Sequence, residues 1–427
     1  KSAFLFNACL VDNGAYRNYY VHIPPGKVSM KIIILLGDGM SDVTYSELGN
    51  KSPLQKAHTP NMDFMAQHGQ VGLAATVPDG LPPGSDVANL SVFGYDPRTC
   101  YTGRSPLEAI SMGVELGPDD VAFRMNLVTL NPHGSTIYMK DFSAGHISIP
   151  EGRELVEALQ KELGNEKIEF HAGVGYRHLM VWRGGKDAMK SIPPHDITGK
   201  SILEHLPSGD GADMLNNIMN HAQMVLYTHP LNVRRKEEGK LPANSIWLWG
   251  QGKIPKVAAF KDEFGLSGAV ISAVDLIKGI GVCAGLDIIK VEGATGYIDT
   301  NYLGKAQAAL AALDDHDFVY VHVEAPDEAS HSGRMDHKIQ AIEDFDRQVV
   351  GTILEGIKKF ENYAILCTPD HPTPVHLMTH TSDPVPFIIY RGGEGQGNGA
   401  ASYDEAQAKA TGLLVEGHKL IQMLQKK

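Results

Sequence analysis

Three runs of this chain end alike, and their endings limit what it can fold into. Lys31-Ile-Ile-Ile-Leu-Leu36 leads into Gly37-Asp38-Gly39, Phe318-Val-Tyr-Val-His-Val323 into Glu324-Ala-Pro-Asp327, and Ala364-Ile-Leu-Cys367 into Thr368-Pro-Asp-His371. Runs this short and this apolar read as strands buried on both faces, as in a parallel sheet covered by helices. In open α/β sheets, ligands gather beyond the carboxyl ends of the strands. Asp38, Asp327 and Asp370 are therefore expected at one sheet edge. His331 follows Asp327 by four residues, which on a helical turn puts both on one face at a ligand-pair spacing. His371 and His380 complete the set. Converging carboxylates and imidazoles would repel one another, or lose solvation without compensation, unless cations lay between them. The residues alone thus point to a metal centre.

Composition narrows the function class. A chain of 427 residues exceeds one small core and predicts two or three domains. Its formal net charge of −12 argues against nucleic acid as a partner, so an anionic substrate needs locally placed arginines. Cys9, Cys100, Cys283 and Cys367 are scattered without a Cys-x-x-Cys pair, which signals neither a disulfide framework nor a structural zinc site and fits a reducing cytoplasm. No apolar run approaches the roughly 18 residues of a membrane span.

Along the chain, residues 1–29 read as an N-terminal extension, with a turn signal at Asn13-Gly14 and a break at Pro24-Pro25-Gly26. Thr59-Pro60 starts a helix that closes near Gly69. Gly84-Ser85-Asp86 opens another, over Val87 to Phe93. Ser85 there has two readings: a helix N-cap, or a hydroxyl placed where free N–H groups and the helix dipole favour an anion. Residues 113–243 interrupt the ligand set and have their own pattern, including an amphipathic helix from Pro150 stopped at Gly164 and a strand at His178–Trp182. The expected organisation is a metal-binding domain over 30–112 and 244–427, with a smaller α+β domain inserted over 113–243. In the returning part, Gly268–Ile277 reads as a buried helix, Thr300–Leu313 as another, Lys338–Ile357 as a long amphipathic one, Pro386–Tyr390 as a strand and Tyr403–Leu424 as a terminal helix. Arg153, Arg234 and Arg235 read as solvated surface residues.

The ordered set of a strand-ending Gly-Asp-Gly, a Gly-Ser at a helix start, Asp-x-x-x-His, Asp-His and a final His380 resembles the alkaline phosphatase-like superfamily. Within it, the chain is similar to the cofactor-independent phosphoglycerate mutases in their shorter form. The resemblance is carried by Gly37-Asp-Gly-Met40, Thr59-Pro-Asn-Met-Asp63, Pro83-Gly-Ser-Asp86, Gly94-Tyr-Asp-Pro97, Gly103-Arg-Ser-Pro-Leu-Glu-Ala109, Arg124-Met-Asn-Leu127, Tyr176-Arg-His178, Ala325-Pro-Asp-Glu-Ala-Ser-His331, Pro369-Asp-His371 and His380-Thr-Ser-Asp-Pro-Val-Pro386. It implies a mostly parallel α/β sheet flanked by helices, with Ser85 as nucleophile. One divalent ion would rest on Asp38, Ser85, Asp370 and His371, and a second on Asp327, His331 and His380. Manganese is the first expectation, with zinc, cobalt or magnesium as alternatives.

The implied reaction interconverts 3-phosphoglycerate and 2-phosphoglycerate through a phosphoserine, without bisphosphoglycerate. Retaining the glycerate requires a pocket that excludes water, and the insert is the candidate lid. Arg104, Arg124, Arg177 and His178 match family positions in or near it and are the expected clamp for phosphate and carboxylate. A homoserine kinase-like phosphotransferase, or a two-metal phosphatase or phosphodiesterase, could use the same ligands. A sulfatase is disfavoured because no Cys/Ser-x-Pro-x-Arg segment occurs.

Overall fold

A computed structural model describes residues 7–12, 15–20, 30–392 and 397–426. Strands β1 (Asn7–Asp12) and β2 (Ala15–Tyr20) pair antiparallel as a separate ribbon. The rest of the expected extension, Asn13-Gly14 included, lies outside the described residues. Along the chain follow β3 (Lys31–Gly37), β4 (Gln70–Ala75), β5 (Val121–His133), β6 (Thr136–Asp141), β7 (Ile168–Val174), β8 (Arg177–Trp182) and β9 (Ser245–Gly252). The last strands are β10 (Gly268–Ile271), β11 (Asp287–Ile288), β12 (Phe318–Val323), β13 (Tyr363–Thr368), β14 (Val385–Arg391) and β15 (Leu414–Glu416).

Eight strands form the main sheet in the order β11-β10-β12-β3-β13-β14-β4-β15, in which β14 alone runs against its neighbours. The apolar runs explain it. Ile33, Leu35, Val319, Val321, Ile365 and Cys367 pack into the core on one face, while Ile32, Ile34, Leu36, Phe318, Tyr320, Ala364 and Leu366 pack into the core on the other. Burial on both faces leaves no solvated side, so the period-two polar alternation of a surface strand is absent. Registry does the rest: Leu36 lies opposite His322 on one side and Thr368 on the other. The residues that follow β3, β12 and β13 therefore leave one edge side by side.

A second, antiparallel sheet has the order β6-β5-β8-β7, with β9 on the remaining side of β5. The long strand β5 makes this possible, because its first half lies between β8 and β9 while its end turns back onto β6. Helices Ile149–Leu163 and Ala212–Tyr227 cover it with Leu155, Val156, Leu159, Leu215, Met219 and Leu226. The two passages between the sheets run against each other. A Cβ on Gly103 (φ +135°) would stand 2.2 Å from the Gln251 carbonyl oxygen, and one on Gly252 2.2 Å from that of Thr102.

Several expectations change. Ser245–Gly252 pairs with β5, so the antiparallel sheet continues past the expected boundary at residue 243. Gly268–Ile277 is not a helix: Gly-Ala-Val-Ile forms β10 beside β12, and the helix runs from Asp275 to Cys283. A buried apolar run of that length has no period to separate the two states, and strand pairing decides. The expected terminal helix is broken into Glu405–Ala410, β15 and Leu420–Gln425, with Gly412 at φ +70° after the first piece. Arg235 is not solvated; it is 3% exposed, bonded to Glu151 at 2.8 Å and to the carbonyls of Ala144 and Leu241.

The long helix expected from Lys338 begins at Met335 and passes through a π-helical turn at Phe345–Val350. That turn presents buried Asp346, which accepts the backbone N–H groups of Asn61 (3.2 Å) and Met62 (2.7 Å) and the Asn61 amide (2.8 Å). Thr59 makes no side-chain cap, so Asp346 satisfies the first turn of helix Pro60–His68 from a distant part of the chain. Asp346→Ala is expected to cost about 2 kcal/mol, the scale of a lost helix cap plus a charge-assisted buried hydrogen bond, measured as a lowered urea midpoint.

Candidate active site

The common edge of β3, β12 and β13 holds Asp38, Asp327, Asp370 and His371, all buried. Asp38 lies directly past β3. Asp327 and His331 sit on the short helix Ala325–His331 after β12, with Asp327 Oδ2 3.2 Å from His331 Nε2. His380 reaches the same place from the loop beyond Asp370, its Nε2 3.5 Å from Asp327 Oδ1 and its ring stacked on His371 at 3.9 Å between centroids. Ser85 comes from the segment that follows β4, a strand parallel to β3, β12 and β13. Gly84 is the N-cap of helix Ser85–Val92 and Ser85 its first residue, so the hydroxyl is not spent on capping. Its Oγ stands 3.1 Å from His371 Nε2. All seven expected ligands thus meet.

The arrangement contains two features that a cation resolves. His331 Nδ1 lies 2.9 Å from the Met378 carbonyl, and His380 Nδ1 lies 2.8 Å from the Pro83 carbonyl. A carbonyl can only accept, so each neutral ring carries its proton on Nδ1 and a lone pair on Nε2. Yet the two Nε2 atoms face each other at 2.8 Å beside the Asp327 carboxylate. Two lone pairs and an anion at that range repel unless a positive charge lies among them. In the protein alone a proton supplies it: although burial opposes the charge, the hydrogen bond and field of Asp327 raise His331 to about 9. The second feature is Asp38 Oδ1, fully buried with no hydrogen-bond partner. Burial and then the charges of Asp370 and Asp327 push the Asp38 carboxyl well above its usual range. Asp38, Asp370 and His371 form one compact group and Asp327, His371 and His380 another, so His371 belongs to both. The donor set of hard carboxylate oxygens and borderline imidazoles fits divalent ions.

Each ligand is held from behind. Asp370 accepts the Gly39 N–H (3.1 Å) on Oδ1 and the Asn89 amide (2.8 Å) on Oδ2, and Asn89 in turn accepts the Tyr320 hydroxyl at 2.6 Å. His322, 2.9 Å from Asp38 Oδ2, orients that carboxylate from inside β12. Gly39 (φ +61°) turns the chain tightly here, since a Cβ on it would lie 2.5 Å from Asp327 Oδ1. Lys338, wholly buried, donates to Asp42 Oδ2 (2.8 Å) and to the carbonyls of Thr373 (2.9 Å) and Ser41 (3.3 Å). Sequence reasoning missed these supports, although a histidine inside the apolar run Phe318–Val323 was a signal.

The four residues expected to form the clamp are placed differently. Arg104 and Arg124 both bind Glu108 Oε1, at 2.8 and 3.0 Å, so two guanidiniums share one carboxylate. Arg124, only 7% exposed, also stacks on Trp249, and Arg177 stacks on Tyr176. Burial and then the neighbouring cations Arg104 and Arg177, opposed by Glu108, hold Arg124 down to about 10. Glu108 is the carboxylate bonded to both Arg104 and Arg124, while Asp86 and Glu324 lie near Arg104 and Glu328 near Arg177, so the arginines sit in a mixed field and their guanidinium groups suit an anion. His178 differs. It lies in the interior of the antiparallel sheet, its Nδ1 accepting the Gly173 N–H at 3.0 Å and its ring against Gly152, and burial lowers it to about 4. A strand alternates its faces, so Arg177 and His178 cannot both point to one ligand.

A family model described as 2,3-bisphosphoglycerate-independent phosphoglycerate mutase matches residues 66–232. The chain is 65% identical over 396 residues to a probable 2,3-bisphosphoglycerate-independent phosphoglycerate mutase of Geobacter sulfurreducens, covering 92% of this chain and 99% of that one. It is 54% identical over 400 residues to a 2,3-bisphosphoglycerate-independent phosphoglycerate mutase of Methanosarcina barkeri, covering 93% and 100%. Among solved structures, a protein from Pyrococcus horikoshii matches with a TM-score of 0.79 at 32% identity over 93% of this chain and 97% of the other. A cofactor-independent phosphoglycerate mutase from Thermoplasma acidophilum matches with a TM-score of 0.61 at 28% identity, over 92% and 98%. The crowded lone pairs and carboxylates predict that chelation lowers the melting temperature and that a divalent ion restores it, since an ion at a hundred times its Kd stabilises by about 2.7 kcal/mol. An unchanged melting temperature after exhaustive chelation and reloading would exclude these residues as a metal centre.

Proposed function

The chain belongs to the 2,3-bisphosphoglycerate-independent phosphoglycerate mutase family, and on that premise we propose that it interconverts 3-phosphoglycerate and 2-phosphoglycerate by passing the phosphoryl group through Ser85. The observation that carries this reading is the Ser85 hydroxyl, free of capping duty at a helix N-terminus and 3.1 Å from His371 Nε2. An isomerase of this kind has to hold the phosphoryl group while the glycerate turns. A serine at a helix start offers backbone N–H groups and the positive dipole end to that group.

Asp38, Ser85, Asp370 and His371 would hold one divalent ion and Asp327, His331 and His380 the other, with manganese the first candidate. Such ions neutralise phosphoryl oxygens and lower the pKa of a serine hydroxyl. His371 lies against both groups and links them. Ser85 Oγ gives up its proton and forms a bond to phosphorus as the bond from phosphorus to O3 breaks, and O3 takes up a proton in exchange. The hydroxyl at C2 then loses its proton and attacks phosphorus, the bond from phosphorus to Ser85 Oγ breaks, and Oγ takes up a proton to regenerate the hydroxyl. Arg104, Arg124 and Arg177 bind phosphate and carboxylate and keep the glycerate in place between the half-reactions. His178 supports the β7–β8 sheet behind them. The insert excludes water, which separates an isomerase from a phosphatase. A place in cytoplasmic glycolysis and gluconeogenesis follows. The kinase and phosphatase readings are not favoured by the relatives.

Among the described residues, no helix is long and apolar enough to cross a membrane. The direct test of the activity is NMR of the metal-loaded protein with 3-phosphoglycerate, where 2-phosphoglycerate should accumulate without added bisphosphoglycerate. Phosphate as the main product would favour the hydrolase instead. Ser85→Ala should abolish turnover and keep bound metal, and rapid quench with labelled substrate should put phosphate on Ser85. Label on Ser91, Ser105 or a histidine would overturn the assignment. Arg177→Ala should raise the ratio of free phosphate to 2-phosphoglycerate; a constant ratio would move the clamp elsewhere.

A further inference from the structure

Thr373 is wholly buried two residues past His371, and its hydroxyl lies between the two candidate ligand groups. It donates to Asp327 Oδ1 at 2.6 Å and lies 3.2 Å from His371 Nδ1. A hydroxyl has one proton, and here the carboxylate takes it. The contact with His371 is then a hydrogen bond only if Nδ1–H donates to the threonine oxygen. That fixes the neutral ring as the Nδ1–H form and leaves the lone pair on Nε2, the atom 3.1 Å from Ser85 Oγ and 3.3 Å from Asp370 Oδ2.

The hydroxyl is not free to turn away. The Thr373 N–H donates to the Ser41 carbonyl at 3.1 Å, and its own carbonyl accepts from buried Lys338 at 2.9 Å. A Cβ on Gly39 would stand 2.6 Å from Oγ1, so the β3 turn closes over it. The branched side chain adds a restricted χ1. From these contacts we infer that Thr373 is a positioning residue: its hydroxyl selects the His371 tautomer that presents Nε2 to the site and ties that choice to the orientation of Asp327. A group that orients a ligand from behind typically changes metal affinity or activity about 10–100-fold when removed. Thr373 is placed to do so for both ligand groups at once.

The inference rests on His371 and Asp327 acting as ligands, but its first readout does not need metal. In metal-free protein with 15N-labelled histidine, the His371 signals, identified by their loss in His371→Gln, should show a protonated Nδ1 and an unprotonated Nε2. Thr373→Val, which keeps the shape and removes the hydroxyl, should shift that pattern toward the other tautomer and raise the metal Kd about tenfold or more by calorimetric titration. Thr373→Ser should restore both. An unchanged nitrogen pattern in Thr373→Val, or a serine variant that behaves like valine, would overturn the role of the hydroxyl. A shifted pattern with unchanged metal affinity would uphold it and remove His371 from the ligand set instead.

Discussion

Carboxylates that cannot reach water govern this molecule. Asp38, Asp327 and Asp370 are brought together because β12, β3 and β13 are neighbours in register, and the segment that leaves each strand places an acid at that edge. Burial of several like charges is among the least favourable arrangements a protein can adopt. Nearby Glu324 shows the strain in the same field: burial, then Glu328 and Asp327, push its carboxyl up to about 8. Many of the surrounding contacts compensate for this field. The Asn89 amide, the Thr373 hydroxyl and the Gly39 N–H each direct a hydrogen at one of these oxygens, and the His322 ring lies 2.9 Å from Asp38 Oδ2. Asp38 Oδ1 is left without such a partner, and the nitrogens of His331 and His380 face each other at 2.8 Å, both points where a divalent ion would fit.

Arginines gather near that edge. Arg104 and Arg124 share a single carboxylate, and the aromatic planes of Trp249 and Tyr176 hold Arg124 and Arg177 by their faces, which leaves N–H edges for other partners. An acidic edge that needs cations thus lies near arginines able to bind an anion. A phosphorylated carboxylic acid, with metal ions, satisfies both.

Legibility in the sequence followed the same physics. The three strand endings were readable because burial on both faces forces uninterrupted apolar runs, and the acids that follow them have no structural reason to be there. Ser85 was ambiguous, since a cap and an anion-facing hydroxyl occupy neighbouring positions at a helix start; the placement of Gly84 as cap removes the capping reading. The burial of His178 was not legible because adjacent residues of a strand point to opposite faces, and the pair Arg177-His178 does not say which face is outward. Gly268–Ile271 was too short to show a period. Asp346 and Lys338 were invisible: each acts on residues almost 300 positions away, and nothing local marks an aspartate as the cap of another segment's helix or a lysine as the staple of two loops.

The close passage at Gly103 and Gly252 bears on how such a molecule can change over time. Because the chain enters and leaves the antiparallel sheet at adjacent points, the stretch between them begins and ends within a few ångströms of itself, and a different stretch of any length could be spliced there without stretching the main sheet. The edge that carries the seven candidate ligands is encoded outside that stretch. Descendants of one ancestor could therefore exchange what they recognise while inheriting the phosphoryl-transfer apparatus unaltered, and the glycine pair marks where such a graft would be joined.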